Sequence, residues 1–125
     1  MNRLPTPPEI LKAIAHPVRL GVLEILRDGE QCVCHMEAML GIRQASISQQ
    51  LMVLREAGLV EVRRDGLNIY YRVVNDRIFP LVDAAYAASG ARRPRLAHKH
   101  GPANCPCPKC NTGHRVTPAK VTAPE

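Results

Sequence analysis

The 125-residue chain has no tryptophan, a single phenylalanine and three tyrosines. So few aromatics argue against a protein that stacks the bases of single-stranded nucleic acid on its side chains. Long apolar runs are missing too. None approaches the roughly 18 residues that a membrane span needs. The first ten residues, "MNRLPTPPEI", lack the apolar centre of a secretory signal. A cytoplasmic protein whose thiols stay reduced is therefore expected. Paired carboxylates placed for catalysis, a phosphate-binding glycine loop and a nucleophile elbow are all lacking, so an enzyme is not expected. An internal repeat is lacking as well. Residues 1–90 also lack net charge, with ten Lys/Arg against ten Asp/Glu. The net +6 comes from residues 91–125, with seven basic residues against Glu125. A case for nucleic-acid binding must therefore rest on a motif rather than on charge.

What is present reads mainly as helix. "PPEILKAIA" (7–15) places Ile10, Leu11, Ile14 and Ala15 at helical spacing, with Thr6, Pro7 and Glu9 forming a capping box. "HPVRLGVLEILRDG" (16–29) predicts a second helix starting around Pro17. Its Val18, Leu20, Leu23, Ile25 and Leu26 face a core, and Gly29 stops it. A third helix is expected from about Cys34 to Leu40, with Cys34 at the N-cap position, Glu37 three residues on and Gly41 as its stop. A fourth covers about 44–57, with Ile47, Leu51, Leu54 and Gly58 along one face. "LVEVRRDGLNIYYRVV" alternates and turns at Asp65-Gly66, a strong hairpin signal. A fifth helix is expected over 75–89 with Asn75 as its cap. It is apolar around most of its circumference, which suggests burial against a partner.

The expected fold is mainly α with a small β-hairpin: a winged helix-turn-helix of five helices plus a two-stranded wing. Residues 1–90 form the DNA-binding and dimerisation domain. Residues 91–125 hold six of the eleven prolines and read as a flexible basic Cys/Pro-rich tail. In a helix-turn-helix the N-terminal residues of the second helix meet base edges in the major groove. Gln44, Ser46, Ser48 and Gln49 occupy that place. Gln can pair with adenine through two hydrogen bonds, and Ser can bond several bases or a phosphate. Arg63 and Arg64, beside the hairpin turn, suit phosphate contacts or a minor-groove visit, and Arg72 follows the turn.

"LKAIAHPVRLGVLEIL", "RQASISQQLMVLREAGLVEVRRDG" and "YYRV" resemble the ArsR family of metal-sensing winged-helix repressors, over about residues 8–88. "QCVCHME" resembles that family's thiol motif at the start of the helix before the recognition helix. The resemblance implies a homodimer joined largely through the first and fifth helices. It also implies an inverted-repeat operator of double-stranded DNA, and release when a toxic metal or metalloid ion binds. The pattern departs from relatives in three places. Glu37 stands where arsenic sensors have a third cysteine. Residues 1–31 lack the N-terminal cysteines of cadmium and lead sensors. Helix 75–89 has Asp76 and Asp83 but no His, so the zinc-type site on that helix is expected to be absent.

Cys32 and Cys34 are the candidate metal ligands. Two residues apart on a regular helix they would point roughly 200° apart. At a helix entrance, with Cys32 still extended, they can converge, and the helix N-terminus favours the thiolate that soft ions select. As(III) is the favoured inducer, with Sb(III), Cd(II), Pb(II) and Zn(II) as the other candidates. "CPCPKC" adds Cys105, Cys107 and Cys110. They could form a site of their own or lend a thiolate to Cys32 and Cys34, across a chain able to reach about 50 Å. They could also scavenge ions without regulatory effect. His98, His100 and His114 could add nitrogen ligands, though solvated histidines are the commoner case. His16 is expected at a helix start and His35 in an exposed first turn. Two other functions compete: a thiol redox or persulfide sensor on the same scaffold, and a metal-scavenging protein acting through the tail. The complete helix-turn-helix and wing argue against the second.

Overall fold

A computed structural model describes residues 4–94. Helix α1 (Pro7–Ile14) is followed by α2 (Pro17–Ile25), a 3-10 turn (Leu26–Asp28), strand β1 (Gln31–Cys32), α3 (Val33–Leu40) and α4 (Gln44–Glu56). Strands β2 (Val60–Asp65) and β3 (Asn68–Val73) and helix α5 (Ile78–Ser89) complete it. This is the winged helix-turn-helix order.

Local chemistry explains most boundaries. The Thr6 N–H donates to Glu9 Oε1 at 2.9 Å and the Glu9 N–H donates to Thr6 Oγ1 at 3.3 Å, a complete capping box. His16 caps α2, its Nδ1 accepting from the Val18 N–H at 3.1 Å. Gly41 ends α3 in the left-handed region, φ 66°, where a Cβ would be strained. That turn lets α4 cross α3.

Three expectations need correction. Helix α3 starts at Val33, and its N-cap is Cys32, not Cys34; neither Cys32 nor Glu37 closes a capping box there. His35 is 1% exposed, because this earlier start rotates it inward. Helix α5 starts at Ile78 rather than 75. Asn75 Oδ1 accepts from the Arg77 N–H at 3.0 Å and shapes the turn before the helix, while Arg77 holds the N-cap position. The wing is the expected two-stranded β2–β3 hairpin, and the short β1 joins its sheet as a third strand. The sheet order is β1-β3-β2, with Gln31 opposite Tyr71 and Cys32 opposite Tyr70. The two-residue β1 is too short to show alternation in sequence, and only its pairing with β3 defines it.

The core draws on every helix. Val22, Leu23, Ile25, Met36, Ile47, Leu51, Leu54 and Val82 are buried together. Gly21 lets α3 approach α2: a Cβ there would stand 2.7 Å from Leu40 Cδ2. The expected inner face of the fourth helix, Ile47, Leu51 and Leu54, is the one that packs.

Candidate nucleic-acid interface and sulfur site

Packing of Ile47, Leu51 and Leu54 turns the opposite side of α4 outward. Gln44, Ser48 and Gln49 are exposed and Ser46 is half-buried. Arg43, at the N-cap position of α4, is exposed beside them and was not anticipated. Its signal was the basic residue one position before the helix, at the end expected to meet DNA. Arg19 braces this helix from behind. Its Nη1 donates to Gln50 Oε1 at 2.7 Å, while Nε donates to the Ala13 carbonyl at 2.5 Å. One guanidinium thus ties the end of α1 to α4.

The two wing arginines differ. Arg64 points from the exposed part of β2, and among the described residues no ion pair engages it. Arg63 is held. Its Nη2 donates to Glu30 Oε1 at 2.5 Å and its Nε to Glu30 Oε2 at 3.1 Å. Its guanidinium carbon lies 4.7 Å over the Tyr70 ring. The bond to Glu30 raises its pKa further above the ordinary arginine range. Arg72, on β3, pairs with Glu61 across the hairpin.

Cys32 closes β1 and Cys34 lies in the first turn of α3, so the strand-to-helix bend brings them together. Their Sγ atoms stand 2.9 Å apart. Cys32 is 5% exposed and packs with Tyr70, and Cys34 packs against that pair. Cys34 is disulfide-bonded. Among the described residues no group of three His, Cys, Asp or Glu side chains comes together as a metal site. Once Cys34 is reduced, Cys32 and Cys34 can offer two thiolates at this bend. Cys105, Cys107, Cys110, His98, His100 and His114 lie outside the described residues. On the last helix Asp83 faces Arg27, with a contact of 2.9 Å.

The family model of the bacterial regulatory protein, arsR family, matches residues 16–62, from the cap of α2 into β2. A biofilm growth-associated repressor of Agrobacterium fabrum is 49% identical over 78 residues, covering 62% of this chain and 67% of that protein. The chain belongs to the arsR family of bacterial regulatory proteins. An arsenic resistance transcriptional regulator of Pseudomonas putida is 42% identical over 74 residues, 58% of each chain. The crystal structure of the transcriptional repressor BigR from Xylella fastidiosa superimposes with a TM-score of 0.62 at 42% identity, over 68% of this chain and 87% of that one. Membership of the arsR family makes the chain a transcriptional repressor and not an enzyme. No helix among the described residues is long and apolar enough to cross a membrane.

Proposed function

We propose that this arsR-family chain binds operator DNA as a homodimer and releases it when Cys32 and Cys34 take up a thiophilic metal or metalloid ion. The observation that carries the reading is the meeting of the two sulfurs, 2.9 Å apart, where β1 enters α3. Soft thiolates select soft ions, As(III) first and Sb(III), Cd(II), Pb(II) or Zn(II) after it. Helix α3 supports α4, so a change at its first turn reaches the helix that presents Gln44, Ser46, Ser48 and Gln49. Arg64 adds phosphate affinity from the wing. An ion shifts the equilibrium only by its differential affinity for the two states.

Dimerisation is supported by what the single chain leaves uncovered. Leu4 and Leu11 near α1 are 85% and 51% exposed, and Ala84, Ala85, Ala87 and Ala88 on α5 are exposed. Residues 91–125 act as a basic arm that supplies the third ligand from Cys105, Cys107 or Cys110. The test uses phosphine-reduced protein and an operator-retardation assay with each of the five ions. Release by at least one ion, lost in the Cys32→Ser, Cys34→Ser protein, is the expected result. Release that survives both substitutions refutes the site.

A second reading has its own observation. Cys34 is disulfide-bonded, so its sulfur is within reach of thiol oxidation. From the reduced state, Cys34 and a cysteine other than Cys32 form an S–S bond as their two electrons and two protons reduce a peroxide to water or a polysulfide to sulfide, and operator is released without any ion. Release by hydrogen peroxide or polysulfide in chelator-treated protein, reversed by phosphine, distinguishes the two.

A further inference from the structure

The sheet places three residues of different strands in one row. Arg63 on β2 is the Cα partner of Tyr70 on β3, and Tyr70 is in turn the partner of Cys32 on β1. Directly opposed residues in antiparallel strands project from the same face. The side chains obey this. Arg63 lies over the Tyr70 ring at 4.7 Å, and Cys32 packs with Tyr70 from the other side. Glu30, two residues before Cys32 and so on the same side of the strand, closes the row by ion-pairing Arg63 at 2.5 Å. One aromatic ring, 2% exposed, thus separates the sulfur pair from the held arginine of the wing.

We propose that the row Cys32–Tyr70–Arg63, latched by Glu30, transmits the state of the sulfur pair to the wing, with Glu30 and Tyr70 as positioning residues for Arg63. The proposal rests on Cys32 and Cys34 being the ligand site. Two sulfurs that share one tetrahedral ion, at bonds of about 2.3 Å, stand about 3.8 Å apart. Reduction of Cys34 and ion binding replace the 2.9 Å contact by that separation, so the Cys32 sulfur is displaced. Cys32 is buried against Tyr70, and a packed interior answers such a shift by moving the neighbour rather than absorbing it. A displaced Tyr70 takes away the surface on which the Arg63 guanidinium rests. The salt bridge to Glu30 alone, half-exposed and screened, holds a wing less firmly. The wing then loses the orientation in which Arg64 meets phosphate. Arg63 accordingly holds the wing in place for Arg64 and loses that hold when the ion binds.

The absence of tryptophan makes this measurable. In a Tyr71→Phe, Tyr86→Phe protein, Tyr70 is the remaining tyrosine and its emission reports the row directly. Phosphine-reduced protein is titrated with Cd(II) and with As(III), ion binding being followed independently by competition with a chromophoric chelator. The expected result is a change in Tyr70 emission that saturates with ion binding and disappears when Cys32→Ser and Cys34→Ser are added. Operator affinity is then measured with and without ion for the parent, Glu30→Gln and Arg63→Lys. Both variants should keep ion affinity within about threefold of the parent, while ion-free operator affinity falls toward the parent's ion-bound value and the release factor falls at least fivefold, within the usual range of such couplings. Parent-like release in both variants overturns the relay. So does silent Tyr70 emission in protein whose Cys32 and Cys34 demonstrably hold the ion. If the ion binds equally well without those two cysteines, the sulfur site itself is wrong and the relay falls with it.

Discussion

Replacing Arg27 by Met should destabilise the domain by about 3 kcal/mol. Arg27 donates to Glu24 at 2.7 Å and to Asp83 at 2.9 Å, and its guanidinium lies 4.7 Å over Phe79. It joins α2 to α5. Glu24 is 3% exposed, so removing its partner leaves a buried carboxylate. Breaking a fully buried pair costs about 3–5 kcal/mol. Here Arg93 keeps a 3.2 Å contact to Glu24 and Arg27 is itself 21% exposed, so about 2 kcal/mol is a better figure. The Asp83 pair is half-exposed and adds at most about 0.5 kcal/mol. The ring contact adds about 0.5 kcal/mol. At about 4–8 °C per kcal/mol for a domain of this size, the melting temperature should fall by roughly 12–24 °C. Urea unfolding followed by circular dichroism gives the free energy, at one fixed protomer concentration because dimerisation adds to stability. The Glu24→Gln, Arg27→Met protein should be less destabilised than the two single changes summed, since no buried charge is then left unpaired. The Arg27 pKa is raised, first by the Glu24 hydrogen bond. A raised pKa contributes stability that is fully present below the ordinary arginine value and is lost only as pH rises through the still higher folded one, so the Arg27→Met effect should be flat from pH 7 to 10. A loss under about 0.5 kcal/mol, or strict additivity in the double variant, would refute the assignment of Glu24 as a buried, paired charge.

Arg64→Ala should lower operator affinity to a similar extent across operator sequences and reduce the salt slope by about 1, as read by fluorescence anisotropy at several salt concentrations. Gln44→Ala and Gln49→Ala should instead each relax preference at single operator positions by about 1–3 kcal/mol; a uniform loss across sequences would show that they touch phosphate. Removing the Arg19 brace by Gln50→Ala should cost about 1 kcal/mol of stability and weaken operator binding without changing base preference, measured by thermal melting and by anisotropy. Thr6→Ala should cost about 1 kcal/mol through its capping box, with operator binding unchanged.

The sequence by itself determined the helices, their inner faces and the hairpin, because those depend on neighbours a few residues apart. Ile47, Leu51 and Leu54 share a face by helical spacing alone, Thr6 and Glu9 cap each other across three residues, and Asp65-Gly66 turns a hairpin without outside help. It also placed Gln44 and Gln49 outward, since a helix with one apolar face must show the other. Tertiary structure alone decided β1, since two residues become a strand only when β3 lies beside them. That pairing stretches the chain through Cys32, moves the start of α3 back to Val33 and turns His35 inward. It also sets Cys32 against Tyr70, 38 residues on, and so decides what the sulfur pair touches. The fates of Arg63 and Arg64 could not be told apart from their adjacent places in the chain. Alternation sends them to opposite faces of the hairpin, but only the folded sheet puts Glu30 and Tyr70 under one of them and solvent beside the other.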